Sequence, residues 1–559
     1  MPRRIAICAL LLFGCKTAEG GTKVAAPAVA EAKPAEATHG HLAPSRAAAP
    51  PLFDDLGSWH HAVRTASPEA QKYFDQGLRL MFAFNHEEAI KAFQQAAVID
   101  PRCSMCLWGW AVALGPNINL PTDAEREKTA WDLVARARAV SPQGSEKDYV
   151  EAVAKRYANP PGADRKALDQ AYADAMRGLS RKHPDDLDAA VLFAESMMDL
   201  RPWDLWTKDG RMQPGTDEIL MTLESVLAGE PRHPGANHFY IHATEASPHP
   251  EKALAAADRL PSLMPGAGHI VHMPAHTYVR TGRYEAAAEA NRRAIAVDKK
   301  YLAQSPAQGI YAMMYVTHNY QFLWAAASLE GRSAEAIQAA RDVAARLPAE
   351  MVRGMEKDLP GIDYMLAPPL FALVRFGRWQ EALAEPRPPA DFRYLVAVWH
   401  FARGMALAAL GRGGEARQEH SQLVAFGETL PKDAMLGPLN SAQVVFAVAA
   451  PLLAGEIELR SGRAAHAIPL LRQAVKAEDA LNYDEPPPWP QPARLSLGEA
   501  LLEAGKPAEA AQVFREDLQR YPENGWALFG LVQAGDAQAK ERFVRAWSHA
   551  DVKLERPRF

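Results

Sequence analysis

Two histidine-rich stretches carry the residues best suited to chemistry. In the first, His238, His242 and Glu245 fall at i, i+4 and i+7, on one face of a helix. In the second, His269, His272 and His276 fall at i, i+3 and i+7, again on one face. Position 272 lies 34 residues after 238, and 276 lies 34 after 242, so the stretches read as copies of one repeat. Imidazoles four residues apart on a helix are a standard way to hold one metal ion. Packed helices lie roughly 8–10 Å apart, so side chains from both copies could converge on it. Four histidines and a carboxylate suit zinc, copper, iron or nickel, and ligand softness does not choose among them. With one position open to water, such an ion would support hydrolysis or oxidation.

Two other readings stay open. The same face could be a polar groove that takes a peptide, a protein or a small ligand, with Asn237, Tyr240, Tyr278, Arg280 and His318 beside the histidines. Alternatively, neutral histidines could form a structural network with Asn237, Glu245 and the backbone. A glutamate does not directly follow the first histidine, which argues against a zinc-peptidase motif. Serine-histidine-aspartate orders, phosphate loops and dinucleotide fingerprints do not stand out either. A discrete histidine site favours ligand binding over a pure scaffold. A metalloenzyme with Glu245 as ligand or base, and an assembly scaffold for an envelope complex, are the alternatives.

The elements that must position these residues repeat. Gly77, Ala89, Phe93, Ala96 and Pro101 place small, small, large, small and proline in an order that resembles the tetratricopeptide repeat. Small residues let two antiparallel helices cross closely, a large one fills the gap, and proline ends the second helix. The spacing returns at Gly498, Gly505, Ala510, Phe514 and Pro522, at Gly455, Gly462, Ala467 and Ala474, at Gly404, Gly411 and Ala416, and at Tyr278, Gly282, Tyr284, Ala287 and Ala294. The resemblance implies an all-α solenoid of tandem helical hairpins, forming a superhelix with a concave groove, over residues 52–549. In that family the first helix of each hairpin lines the groove, which implies that all six chemical residues face ligand. His318 takes an equivalent inner position in the following unit, and Glu195 and Asp199 in the preceding one. Insertions at about 201–215 (with Trp203 and Trp206), 300–316 and 482–492 interrupt the array. Such insertions usually emerge on one face, often the binding face, where Trp203 could act as a lid.

The ends set the compartment. Arg3 and Arg4 precede an apolar run, Ile5–Phe13, too short to span a bilayer. The following Gly14-Cys15 resembles a bacterial lipobox, which implies a signal peptide over 1–15 and a lipid on Cys15, although Phe13 departs from the usual small residue. Residues 16–51 are rich in Ala and Pro and read as a disordered tether, and 550–559 as a C-terminal tail. A second apolar stretch long enough to cross a membrane is not expected. The chain is therefore expected to be exported, periplasmic or at the cell surface, with membrane contact through the anchor alone. A net charge of −5 over 559 residues, without a basic stripe, argues against nucleic acid. Cys103 and Cys106 open a helix, where a short disulfide is favoured over a redox pair or a soft-metal site. The turn Leu114–Asn119 is expected to cap a helix rather than reach the groove. Phe84–Ala89, the Asn117 turn and the two histidine stretches resemble exported bacterial tetratricopeptide proteins, a resemblance that implies the fold without an activity.

Overall fold

The computed structural model describes residues 49–140, 142–305 and 309–559, so Cys15, the signal segment and most of the tether lie outside the described residues. Small residues decide how the helices meet. A Cβ on Gly77 would lie 2.7 Å from the Phe93 ring, and one on Gly109 only 2.4 Å from the same ring. Phe93 therefore wedges between the helix that precedes its own and the one that follows, Pro68–Phe82 and Ser104–Ala113. Phe514 repeats the arrangement against Gly498 and Gly530, at 2.3 and 2.4 Å. Leu471 does so against Gly455, and Leu453 against Gly404. A side chain at any of these glycines would force the helices apart.

Local signals set the hairpin ends. Ser67 Oγ accepts from the Ala70 amide and Pro68 follows it, which starts the Pro68–Phe82 helix. Asn85 Oδ1 accepts from the Glu88 amide and starts His86–Ile99. Gly282, with φ 75°, reverses the chain between Pro274–Arg280 and Tyr284–Gln304, a left-handed geometry that suits glycine. Antiparallel hairpins of this kind follow one another along the chain, making an all-α solenoid. Its one described sheet is the two-residue pairing of Met435–Leu436 with Asn440–Ser441.

The superhelix turns back on itself. Tyr284 Oη donates to the Pro522 carbonyl at 2.7 Å, and Trp526 Nε1 donates to Ser328 O at 2.9 Å. Residues 550–559, expected as a tail, run back along the array. Asp551 accepts from the Ser333 and Ala334 amides, Arg558 pairs with Glu456 and Glu499, and Phe559 packs on Trp526. Residues 49–66 form a second strap, tied through Tyr73 to Pro50 O, through Asp55 O to the Gly266 amide, and through Trp59 and His61 to Asp188.

One sequence expectation needs correction here. Ala442–Arg460 is apolar and long enough to cross a membrane by composition. It lies among the hairpins, with Leu453 against Gly404 and Gly455 against Leu471, which makes it a core segment of a repeat.

Candidate metal centre

Three successive first helices bring the histidines together: Pro234–Glu245, the pair Gly268–His272 and Pro274–Arg280, and Val316–Leu329. Pro274 divides the middle one. The first helix carries His238, His242 and Glu245, and the last carries His318. The face expected to line an open groove is filled instead. His238 and His272 are fully buried, and His242, His269, His276 and Glu245 are nearly so. His318 is half-buried.

Geometry divides the imidazoles into two sets of three. His238, His242 and His269 each bring one ring nitrogen to within 4.8 Å of the others, and so do His272, His276 and His318. The two sets abut: His242 lies 5.6 Å from His276 and His269 5.8 Å from His272, ring centre to ring centre. The sequence grouped His269 with its neighbours at 272 and 276, whereas the structure places it with the preceding repeat.

Hydrogen bonds fix the tautomers of the first set. Phe82 O lies 2.6 Å from His238 Nδ1 and can only accept, so that nitrogen carries the proton. His242 Nδ1 faces Glu245 Oε1 at 2.9 Å and donates in the same way. The Nε2 atoms of both are therefore lone-pair acceptors, and both are buried without a partner. Neither ring nitrogen of His269 has a partner, while its backbone amide donates to Tyr311 Oη at 3.2 Å. A one-turn π-helix, Tyr311–Tyr315, supplies that tyrosine and sets Tyr315 edge-on against the His269 ring at 4.9 Å.

The walls are aromatic. Phe84, held at φ 55°, lies within 4.6–5.6 Å of His238, His242 and His269. Phe322 stands within 4.4–4.8 Å of His272, His276 and His318. Trp203, from the first insertion, meets His242 at 5.5 Å, and its Nε1 donates to Asn119 Oδ1 at 3.1 Å. Asn119 Nδ2 in turn donates to Tyr315 Oη at 2.9 Å. The polar turn expected only to cap a helix thus also ties two walls of the site together. A small cavity bounded by Ile118, Trp203, Trp206 and Tyr483 opens against His242 and Glu245.

Carboxylates stand behind the imidazoles. Glu245 Oε2 accepts from His276 Nδ1 at 2.5 Å while Oε1 takes His242, so both oxygens are engaged away from the ring nitrogens that converge. Glu485 approaches His276 Nδ1 at 3.3 Å from the third insertion. Burial raises the Glu245 carboxyl, but His276 and His242 override it and bring it to about 2. Burial likewise lowers His276, and Glu245 with Glu485 raises it to about 9. His238, His269 and His272 are pushed well below the usual histidine range by burial, reinforced by their neighbouring imidazoles. Burial also takes His318 down to about 3. Neutral imidazoles are the ligating form.

Other expected residues take supporting places. Asn237 donates to Pro231 O and His233 O, and Tyr240 donates to Glu224, so both tie the hairpin rather than face the cluster. Arg280 donates from Nε to Glu245 O at 2.9 Å and lies over the Tyr483 ring. Glu195 and Asp199 join the buried Arg156 instead of the histidines. Cys103 and Cys106 form a disulfide. Sequence reading missed Glu485, Asn291, Phe84 and Phe322 as site residues. Phe84 lay in a block noted for its family resemblance, whereas Glu485 carried no signal beyond its place in an insertion.

No protein-family model matches the chain, and no curated relative matches it. Solved structures similar to it include a human IFIT1 dimer with m7Gppp-AAAA (14% identity, TM-score 0.30, covering 88% of this chain and 92% of that one). The yeast Tom70 is another, at 10% identity and TM-score 0.27, covering 86% and 91%. The P58(IPK) TPR domain is a third, at 12% and 0.20, covering 85% and 98%. Such distant likenesses carry no functional argument. By its own hairpins the chain is an all-α solenoid, and its first helices enclose a histidine cluster.

Proposed function

We propose that this protein is an exported, lipid-anchored solenoid that binds a transition metal ion through His238, His242 and His269. One observation carries the reading: three buried imidazoles turn unpartnered nitrogens toward one another, two of them held as acceptors by hydrogen bonds at Nδ1. Unpaired buried acceptors are costly, and a cation at their centre would satisfy all three. Carbonyl and carboxylate partners behind ligating histidines are the usual outer shell of such a site. Zinc, copper and iron all accept imidazole, and three ligands leave a position free for water or a small ligand. The small cavity beside His242 suits water or a small ligand and not a peptide. An ion there would supply Lewis acidity or redox chemistry, so a metalloenzyme is the second reading. The lipobox-like Cys15 supports the anchor, and the Cys103–Cys106 disulfide fits an oxidising compartment.

Elemental analysis of the full chain, purified without chelators, tests the metal reading beside a His238→Ala, His242→Ala double variant. Stoichiometric zinc, copper or iron in the parent, reduced in the variant, is expected. A parent that stays metal-free after reloading would overturn the reading.

A further inference from the structure

The geometry points to a second metal position, formed by His272, His276 and His318, which with the first makes a two-metal centre. The two-metal conclusion rests on the metal reading above, while the second position has its own evidence. Asn291 Nδ2 donates to the Ala287 carbonyl at 2.7 Å, which orients the amide so that Oδ1 faces His272 Nδ1, also at 2.7 Å. His272 Nδ1 must therefore carry its proton. His276 Nδ1 carries one too, because it faces carboxylate oxygens of Glu245 at 2.5 Å and Glu485 at 3.3 Å. His272 Nε2 is then a lone-pair acceptor, and His276 Nε2 stands 2.9 Å from it, so in the metal-free chain the two nitrogens share one hydrogen. A cation that displaces this proton would be held by both nitrogens, with the carboxylates of Glu245 and Glu485 behind His276. His318 supplies a third nitrogen from the next hairpin, its ring 5.0 Å from His272 and 5.6 Å from His276.

The two positions follow one building rule. Each takes a pair four residues apart from one first helix, His238 with His242 or His272 with His276. Each then adds one histidine from the following hairpin's first helix, His269 or His318. A shift along the solenoid by one hairpin maps the pairs onto each other at a 34-residue offset, while the third histidines lie 49 residues apart across the insertion at 300–316. Glu245 joins them, with one oxygen on His242 of the first set and the other on His276 of the second. Glu245 and Glu485 provide the buried negative charge that two cations in an aromatic setting need. Six imidazole donors suit a transition metal ion, for which copper and zinc serve as probes.

The test is a metal count on the full chain, stripped with chelator and reloaded with Cu2+ or Zn2+ and then desalted. The parent is compared with His318→Asn, chosen because His318 is the least buried imidazole, and with His269→Phe. Two equivalents in the parent and one in each variant are expected. In the copper-loaded parent, spin coupling between neighbouring ions should weaken the electron paramagnetic resonance signal per copper, and either variant should restore it. One equivalent in the parent, unaffected by His318→Asn but lost in His269→Phe, would overturn the second position and leave the first standing, with a proton rather than a metal between His272 and His276. No metal in the parent would overturn both readings. The parent's count decides even where a variant fails to fold.

Discussion

The histidine cluster and the knot that holds the N-terminal strap use the same residue types to opposite ends. In the knot, Asp188 is faced by three donors: Trp59 Nε1 at 2.9 Å, His61 Nδ1 at 2.7 Å and His233 Nε2 at 3.2 Å. His233 Nδ1 accepts from the Ala236 amide, so its other nitrogen carries the proton toward Asp188. Donors meet an acceptor, although His233 Nε2 reaches Asp188 by proximity without making a hydrogen bond. In the first histidine set, hydrogen bonds at Nδ1 of His238 and His242 leave their inner nitrogens as acceptors without a donor to meet. Burial of a histidine therefore says little about function. What its remaining nitrogen faces says more.

The largest effect expected from this contrast is at the knot. Asp188→Ala leaves buried donors with no acceptor and removes the strap's anchor. Breaking a buried pair in this way costs about 3 kcal/mol. Chemical denaturation should show that loss while elemental analysis shows the metal content unchanged. Metal loss in step with stability would break the comparison, because it would make the strap part of the site.

A smaller effect of opposite sign is expected in the cluster. His269 has no partner on either ring nitrogen and packs between Phe84 and Tyr315. His269→Phe leaves no neighbour unsatisfied, since only the backbone amide of this residue bonds Tyr311. The metal-free chain should gain about 1 kcal/mol, since the cost of burying an unpaired polar ring is removed. A net loss in the metal-free state would mean that the imidazole is held by structure and would place the cluster beside the knot.

Much of this was legible in the residues. The Gly77–Phe93 and Gly498–Phe514 matches gave the hairpin register because close helix crossing allows few residue types there. The 34-residue offset gave the paired histidines. Their grouping was not legible. Helical periodicity puts His269 on one face with His276, but Pro274 splits that helix and His269 turns toward the preceding repeat. Glu485 could not be foreseen, since no periodicity links an irregular Pro-rich insertion to His276, 209 positions away. The closed face was also hidden. Filling it depends on where the insertions at 201–215 and 482–492 fold back, which repeat spacing does not encode.

The smallest effect is a pH dependence at the knot. Burial lowers His61, but the hydrogen bond and charge of Asp188 outweigh it, so its folded pKa lies above the ordinary value of 6.5. Its contribution is therefore complete below about pH 6.5 and fades as the pH rises through the folded value. Asp188 has the opposite sign: burial raises it, but His233 and His61 bring it below the ordinary carboxylate range. Its contribution is complete above that range and is lost on acidification through the folded value. The strap should therefore hold best in mildly acidic solution. Trypsin cleavage after the exposed Arg64, normalised to a denatured control, reads the alkaline limb. The normalised rate should rise as the pH increases above about 6.5 in the parent and stay flat in His61→Gln, whose side chain does not titrate there. An equal rise in both would detach the strap from His61 and leave Asp188 to act through Trp59 and His233.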